Sequence, residues 1–505
     1  MRTLAFVGAL WLTACAADAP RALPPAAGPS KPIISRERLK LLREREGALR
    51  SRFEPAEQRP WLDVSGSDPY RIVARSGEAG GYVGILRGGK ALVTLDAELV
   101  ELGRSALPEA PTALCLATPD QALVASRYSS ELWRVQLNPS PRLVEIKRIE
   151  APGVLDLACG RAGISYALTE ESLLTLDAAG HVLQRREAMR GGLRLLVRGS
   201  YLLENSLFER SLRVLPLHGR GVPGPELGRI QHDGPLWAFD ALVQADQLLV
   251  AVTGVEDRPL VRAHGEFENI DSYLWLYRLR FARGGPAIAG FERLTELNVA
   301  EHGLVVPKAL ALHETASGAS VSLLAAGSGR LLRARWPDPA AAPVLETELA
   351  VPGASDAVFG ADGQVRYASP LFDAWIHLER SGSRLVRVEP DRRPEWAERL
   401  GEALFFTELI APENDSSGSH SRFSCETCHF EGGVDGRTHY TGRADVSVVT
   451  KPLFGLANNR PHFSRALDRD LSSVCHNEFR VAGAGSGSDP WFTLAPARFP
   501  WMHEL

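Results

Sequence analysis

The chain has 505 residues, a formal charge of -4, and 45 % hydrophobic and 23 % charged residues. That length exceeds one ordinary core and points to two or three domains. With no basic excess, nucleic acid is excluded as an expected partner.

From the N-terminus, "MRTLAFVGALWLTACAADAP" has Arg2 at its start, an apolar run from Leu4 to Leu12, and small residues ending at Cys15. The run is too short to cross a bilayer and reads as a secretory signal over residues 1–15. Its ending, "LTAC", resembles a bacterial lipobox, which implies that Cys15 becomes a lipid-modified N-terminus. Plain cleavage near Ala17 is the alternative. Ala16 follows the cysteine, so the same resemblance implies sorting to the outer membrane, on the periplasmic side of the bacterial cell envelope. No other window reaches the roughly 18 apolar residues of a membrane helix. Lipid is then the only expected membrane attachment.

Residues 16–58 read as a tether and a charged helix. "APRALPPAAGPSKP" is too rich in Pro to form regular structure. "SRERLKLLREREGALRSRF" mixes both signs of charge around Leu39, Leu41, Leu42 and Leu49, as in a solvated helix packed on the domain that follows.

Over residues 60–390 the pattern becomes short apolar runs broken by Gly, Asp, Pro and Ser, an all-β signal. The runs recur as a unit of strand, turn, strand, turn and a third strand that often holds an aromatic. "ALCLATPDQALVASRYSSELWRVQL" at 113 is one copy and "DLACGRAGISYALTEESLLTLDAAGHVLQ" at 156 the next. Further copies begin near Leu193, Ala238, Ala309 and Asp356, and an earlier one near Gly80. A period of roughly 40 to 50 residues with three or four strands per unit predicts a β-propeller, here of about seven blades. Cys115 and Cys159 fall at matching places in successive units. They are expected as small buried cysteines on inner strands, with a disulfide as the alternative.

The stretch "EDRPLVRAHGEFENIDSY" carries His264, Glu266, Glu268 and Asp271 and reads as a solvated loop, since nothing fixes a metal geometry there. The propeller segment contains no phosphate loop and no Gly-x-Ser-x-Gly elbow.

Near residue 392 the pattern switches to a helix, "RRPEWAERLGEALFFTELIAP", with Trp396, Leu400, Leu404 and Phe405 on one side. A polar loop follows, then "CETCH". Cys-x-x-Cys-His is the attachment signature of c-type haem: Cys425 and Cys428 add to the haem vinyl groups, and His429 brings its imidazole under the iron as proximal ligand. A structural zinc site needs a second ligand pair, and only Cys475 and His476 remain, without the usual spacing. A thioredoxin-like pair opens a helix after a buried strand, whereas this one follows a Gly- and Ser-rich loop. One covalent haem c is therefore expected. The fold class expected overall is mainly β: the propeller, then a small α-helical c-type cytochrome domain over residues 392–505.

"RLGEALFFTE" followed by "FSCETCHFEGGVDGR" resembles the first haem domain of the bacterial di-haem cytochrome c peroxidase and MauG superfamily. "TKPLFGLANNRPHFSRALDRDL" is similar to that family's later segment lining the haem pocket. The resemblance covers residues 395 to about 480. It implies a haem enzyme acting on hydrogen peroxide or on a partner protein. Peroxidase members use two haems and this chain has one attachment motif, so either it is a shortened relative or a second haem domain lies outside it. The two-electron reaction does not carry over to one haem unaided.

The sixth ligand separates electron transfer from reactivity, since a filled position blocks peroxide and an open one admits it. His439, His462, His476, His503 and Met502 are candidates, and the resemblance favours His439, which lies where that family carries a detachable distal histidine. Arg437, Arg460 and Arg465 are candidates for pairing with the haem propionates. The leading expectation is a redox carrier that docks a redox partner protein. A peroxidase-type oxidoreductase is the alternative, and a sensing module built on the propeller is a third reading.

Overall fold

The structure is a computed structural model. It describes residues 66–410 apart from 77–79, 150, 152, 245–246, 258–269, 282–287, 316–317, 338–340, 361–362 and 390–395. Beyond these it describes residues 423–440, 447–453, 470, 473–474, 494 and 497–505, and six positions between 36 and 44.

Seven antiparallel sheets, each from one contiguous stretch of chain, form a seven-bladed β-propeller. Blade 1 contains β1 (Pro69–Ala74), β2 (Tyr82–Leu86), β3 (Ala91–Leu95) and β4 (Glu101–Ala106). Blade 2 contains β5 (Ala113–Thr118), β6 (Gln121–Ala125), β7 (Glu131–Gln136) and β8 (Arg142–Arg148). Blade 3 contains β9 (Asp156–Cys159), β10 (Ser165–Leu168), β11 (Ser172–Leu176) and β12 (Val182–Glu187). Blade 4 contains β13 (Gly192–Arg198), β14 (Tyr201–Ser206) and β15 (Ser211–His218), and β15 pairs with both β16 (Val222–Pro223) and β17 (Gly228–Gln231). Blade 5 contains β18 (Leu236–Val243), β19 (Gln247–Asp257), β20 (Ile270–Phe281) and β21 (Ile288–Asn298). Blade 6 contains β22 (Pro307–Thr315), β23 (Gly318–Ala325), β24 (Arg330–Trp336) and β25 (Val344–Leu349). Blade 7 contains β26 (Asp356–Phe359), β27 (Val365–Ser369), β28 (Ala374–Glu379) and β29 (Gly382–Arg387).

Position within a blade explains the strand sequences. Middle strands lie between neighbouring blades and are apolar on both faces, so β3 ("ALVTL") and β11 ("SLLTL") are buried throughout. Outer strands meet solvent and turn polar, as in β8 ("RLVEIKR"). The aromatics expected on third strands are Trp133, Trp275, Trp336 and Trp375, all buried. Trp375 packs so closely on blade 1 that a Cβ at Gly84 would fall 2.3 Å from its ring, which is why β2 carries glycine there.

Six of the seven repeat starts expected from sequence fall within two residues of an inner strand's first residue. The one near Gly80 is corrected: blade 1 begins at Pro69, and Gly80 lies in the turn after β1. The first strand, "PYRIVA", lacks an apolar run because Arg71 occupies it. Arg71 Nη2 is 2.8 Å from Asp156 of blade 3 and its Nη1 is 3.9 Å from Asp356 of blade 7. Arg194 of blade 4 meets Asp356 at 3.3 Å. These buried and half-buried pairs bridge the central axis, and each aspartate also accepts a backbone N–H, Ile72 on Asp356 and Leu195 on Asp156. Burial works against the charge of Arg71, but Asp156 and Asp356 outweigh it and raise its pKa.

Cys115 and Cys159 form a disulfide, which corrects the expectation of separate buried cysteines. They sit on the adjacent inner strands β5 and β9 with Cα atoms 5.6 Å apart, within bridging range. The stretch read as one irregular loop is partly strand: Glu256 lies in β19 and Asp271 is the second residue of β20, while His264, Glu266 and Glu268 lie outside the described residues.

After the propeller comes helix α1 (Trp396–Phe406). Its buried face is centred on Arg399 and Ala403, with Leu400 and Leu404 packed beside them, while Trp396 is exposed. The apolar count missed this because Arg399 donates to the carbonyls of Leu371 at 2.6 Å and Pro370 at 3.3 Å. Two short strands, β30 (Thr438–Tyr440) and β31 (Ser447–Val449), pair further on. In the C-terminal segment residues 473 and 474 are also helical, and among the described residues no helix is long and apolar enough to cross a membrane. In the charged N-terminal stretch, residues 36, 37, 40, 41, 43 and 44 are helical and exposed, and Arg43 pairs with Asp470 at 3.2 Å.

Candidate functional site at the mouth of the propeller

The segment carrying Cys425, Cys428 and His429 lies against the propeller face where inner strands begin and second strands end. Cys425–Thr427 forms a tight turn, and the His429 N–H donates to the Cys425 carbonyl at 2.9 Å. Two thiols and an imidazole thus project from one turn, and all three residues are partly exposed. Cys425 and Phe430 pack against a core cluster shared by Trp237 of blade 5, Leu324 of blade 6, Tyr367 of blade 7 and, from the C-terminal segment, Ala403 and Phe423.

Two acidic side chains fasten the turn. Glu426, between the cysteines, is buried and ion-paired to Lys308 at the start of β22. Its carboxylate also accepts the Glu431 backbone N–H. Burial raises the Glu426 pKa, and Lys308 acts in the opposite direction. The Lys308 ammonium lies 4.9 Å from the centre of the Phe430 ring. Glu431 has a left-handed backbone, φ 48°, rare for a non-glycine residue. Tyr70 donates its hydroxyl to Glu431 at 2.8 Å, and Arg127 stands 3.9 Å away. Burial acts to raise the Glu431 pKa, yet Lys308, Arg127, Arg87 and the Tyr70 hydroxyl together hold it down to about 2.

The attachments come from around the ring: Lys308 from blade 6, Tyr70 from blade 1, Arg127 from the turn after β6 of blade 2. On blade 4, a Cβ at Gly436, where φ is +70°, would fall 3.1 Å from the Phe208 ring. The Glu408 N–H, just after α1, donates to the Gly327 carbonyl of blade 6 at 2.9 Å. Residues 423–437 therefore cross the mouth of the propeller.

Other candidate residues are placed as follows. Arg437 is buried and its Nε pairs with Asp435 at 3.0 Å. His439 lies on β30, where its backbone pairs opposite Val448. Met502 is buried in the same core cluster that Cys425 packs against, and His503 is exposed. Arg460, His462, Arg465, Cys475, His476 and the lipidation candidate Cys15 lie outside the described residues. Among the described residues, no three His, Cys, Asp or Glu side chains cluster as a metal site. The donor set of the 425–429 turn fits c-type haem: two thiols for its vinyl groups and one imidazole for its iron.

Sequence reasoning missed Lys308, Tyr70, Arg127, Glu426 and Glu431. A signal existed for two: Glu426 is a charge between the two cysteines of the Cys-x-x-Cys-His motif, and Lys308 interrupts the apolar run "VVPKALAL".

No protein-family model matches the chain, and no curated protein matches it in sequence. Kuenenia stuttgartiensis hydrazine synthase is similar in structure, with a TM-score of 0.50 and 12 % identity over 66 % of this chain and 99 % of that one. A functionally unknown protein from Desulfotomaculum acetoxidans gives 0.46 and 9 % over 60 % and 93 %. The periplasmic gluconolactonase of Pseudomonas aeruginosa gives 0.40 and 14 % over 59 % and 85 %. At such identities the likeness of this chain to the first of these shows its fold alone, a β-propeller.

Proposed function

We propose that the protein is a lipid-anchored c-type haem protein of the bacterial cell envelope, facing the periplasm from the outer membrane, that passes single electrons to and from a redox partner protein. One haem c is attached to Cys425 and Cys428, with His429 as proximal ligand, in a cytochrome domain that follows the propeller. When bound, the haem supplies an iron that takes up and returns one electron.

The observation that carries this reading is the turn itself, where two partly exposed thiols and an imidazole share five consecutive residues on a rigid face. Cys425 and Cys428 fix the group by its edge and His429 supplies the nitrogen. The disulfide of Cys115 and Cys159 supports export, since such bonds persist in oxidising compartments. The lipid anchor rests on Cys15 and its signal.

The test is an optical spectrum of the mature protein, oxidised and reduced, with and without hydrogen peroxide, beside its haem-to-protein ratio. One covalent haem per chain with a low-spin spectrum unmoved by peroxide is the expected result. A high-spin or peroxide-responsive spectrum moves the assignment to the peroxidase and MauG type of oxidoreductase. Mature protein without covalent haem, or covalent haem that survives Cys425→Ala with Cys428→Ala, overturns the proposal.

A further inference from the structure

We propose that the mouth of the propeller is the seat of the haem-attachment turn, and that Lys308, acting through Glu426, is a positioning residue for Cys425, Cys428 and His429. The inference rests on the haem reading for its redox consequence, but the seating is a property of the polypeptide and is testable without haem.

A carboxylate in a surface turn is normally left in water. Glu426 is instead 1 % exposed, and a buried charge is tolerated only beside an opposite charge or strong donors. Lys308 supplies the charge from β22, and the Glu431 N–H supplies a donor. Glu431 is in turn held by the Tyr70 hydroxyl of blade 1 and faces Arg127 of blade 2. The two carboxylates lie three residues before and two residues after His429, and their partners stand on different blades. A turn fixed at two such points has no freedom to swivel, so the direction in which the thiols and the imidazole point is set by the propeller. Each carboxylate of the turn meets a cation of the rim, Lys308 for Glu426 and Arg127 for Glu431, while Arg87, bound to Asp68, covers the ring of the Tyr70 that holds Glu431. A haem held by Cys425, Cys428 and His429 would share the surroundings of this turn, so moving the turn would change its potential.

The experiment uses the full chain. Hydrogen exchange of the peptide spanning 423–437 is compared in a haem-free Cys425→Ala, Cys428→Ala chain and in that chain carrying Lys308→Met, Lys308→Arg or Glu426→Gln. Exchange in this peptide is expected to rise at least tenfold with Lys308→Met and with Glu426→Gln, to remain low with Lys308→Arg, and to stay unchanged in β23 and β27 throughout. If Lys308→Met does not fold, Glu426→Gln decides alone, because it removes the charge from the turn and substitutes no residue of the propeller. In the haem-loaded chain the same substitutions are expected to shift the midpoint potential, with Lys308→Arg near the parent. Unchanged exchange at 423–437 in the substituted chains overturns the seating. A parent chain that never acquires covalent haem overturns the functional reading and leaves the exchange result to stand by itself.

Discussion

Asp373, in the turn between β27 and β28 of the last blade, accepts the backbone N–H of Asp68 at 2.8 Å and that of Ser67 at 3.1 Å, immediately before the first blade. Every blade is a contiguous stretch of chain, so no sheet is shared between the ends and the ring closes through contacts of this kind. Ser355 adds a hydroxyl donated to the Tyr70 carbonyl at 2.8 Å. Replacing Asp373 with Ala strands two buried donors and is expected to cost about 2–4 kcal/mol. Asn keeps one acceptor oxygen and is expected to lose about half as much. Urea unfolding of the two variants measures this, and equal stability of Ala and parent would place closure elsewhere.

The disulfide of Cys115 and Cys159 closes 44 residues of sequence and ties blade 2 to blade 3. A loop of that length is stabilised by about 3–4 kcal/mol through restriction of the unfolded chain. Unfolding with and without reductant, compared with the Cys115→Ser, Cys159→Ser chain, is expected to show this loss. A reductant effect that persists in the double variant would assign it to other thiols.

The blades were legible because burial on both faces leaves uninterrupted apolar strands at a fixed period. What escaped was polar or remote. β1 was hidden by Arg71, whose charge is matched by Asp156 and Asp356 far along the chain. The disulfide depends on a Cα separation that spacing does not reveal. At the site, the Cys-x-x-Cys-His turn was visible as a local motif, while its seat was not: Glu426 and Lys308 are 118 residues apart and meet only once the ring is built. The face of α1 was misjudged for a similar reason, since Arg399 is buried by carbonyls of blade 7.

Asp271, at the start of β20, makes the propeller pH-sensitive. Burial pushes its pKa from 3.8 to about 6; the Asn298 amide pulls it down and the Glu301 charge pushes it up. The folded state thus binds this proton more tightly than the unfolded chain. The resulting stability is fully present below the unfolded value and is lost as pH rises through about 6. Asp271→Asn is expected to flatten stability between about pH 4 and 6 and to raise it at neutral pH. A pH profile of urea midpoints that is the same for parent and variant would remove Asp271 as the cause.

His232 is enclosed by polar partners: Nδ1 lies 2.9 Å from Glu256, Nε2 lies 2.8 Å from the Tyr277 hydroxyl, and the ring packs 3.9 Å from Trp275. Removing the hydroxyl with Tyr277→Phe leaves one buried ring nitrogen without that bond and is expected to cost about 1–2 kcal/mol. Thermal unfolding reads the loss, and a variant as stable as the parent would show that the ring is satisfied without the hydroxyl.

Tyr70 separates the two roles of the mouth. Its hydroxyl holds Glu431, whereas its ring is covered by the Arg87 guanidinium 4.2 Å from its centre and belongs to the core of blades 1 and 2. Tyr70→Phe keeps the ring and deletes the bond to a carboxylate, which is worth about 1.5–3 kcal/mol. The carboxylate remains half-buried beside Arg127, so the loss is expected to appear locally, as faster hydrogen exchange at 430–437 than in β2 or β6. Equal acceleration in the blade strands would mean that the hydroxyl stabilises the propeller as a whole and that the turn is held by Lys308 alone.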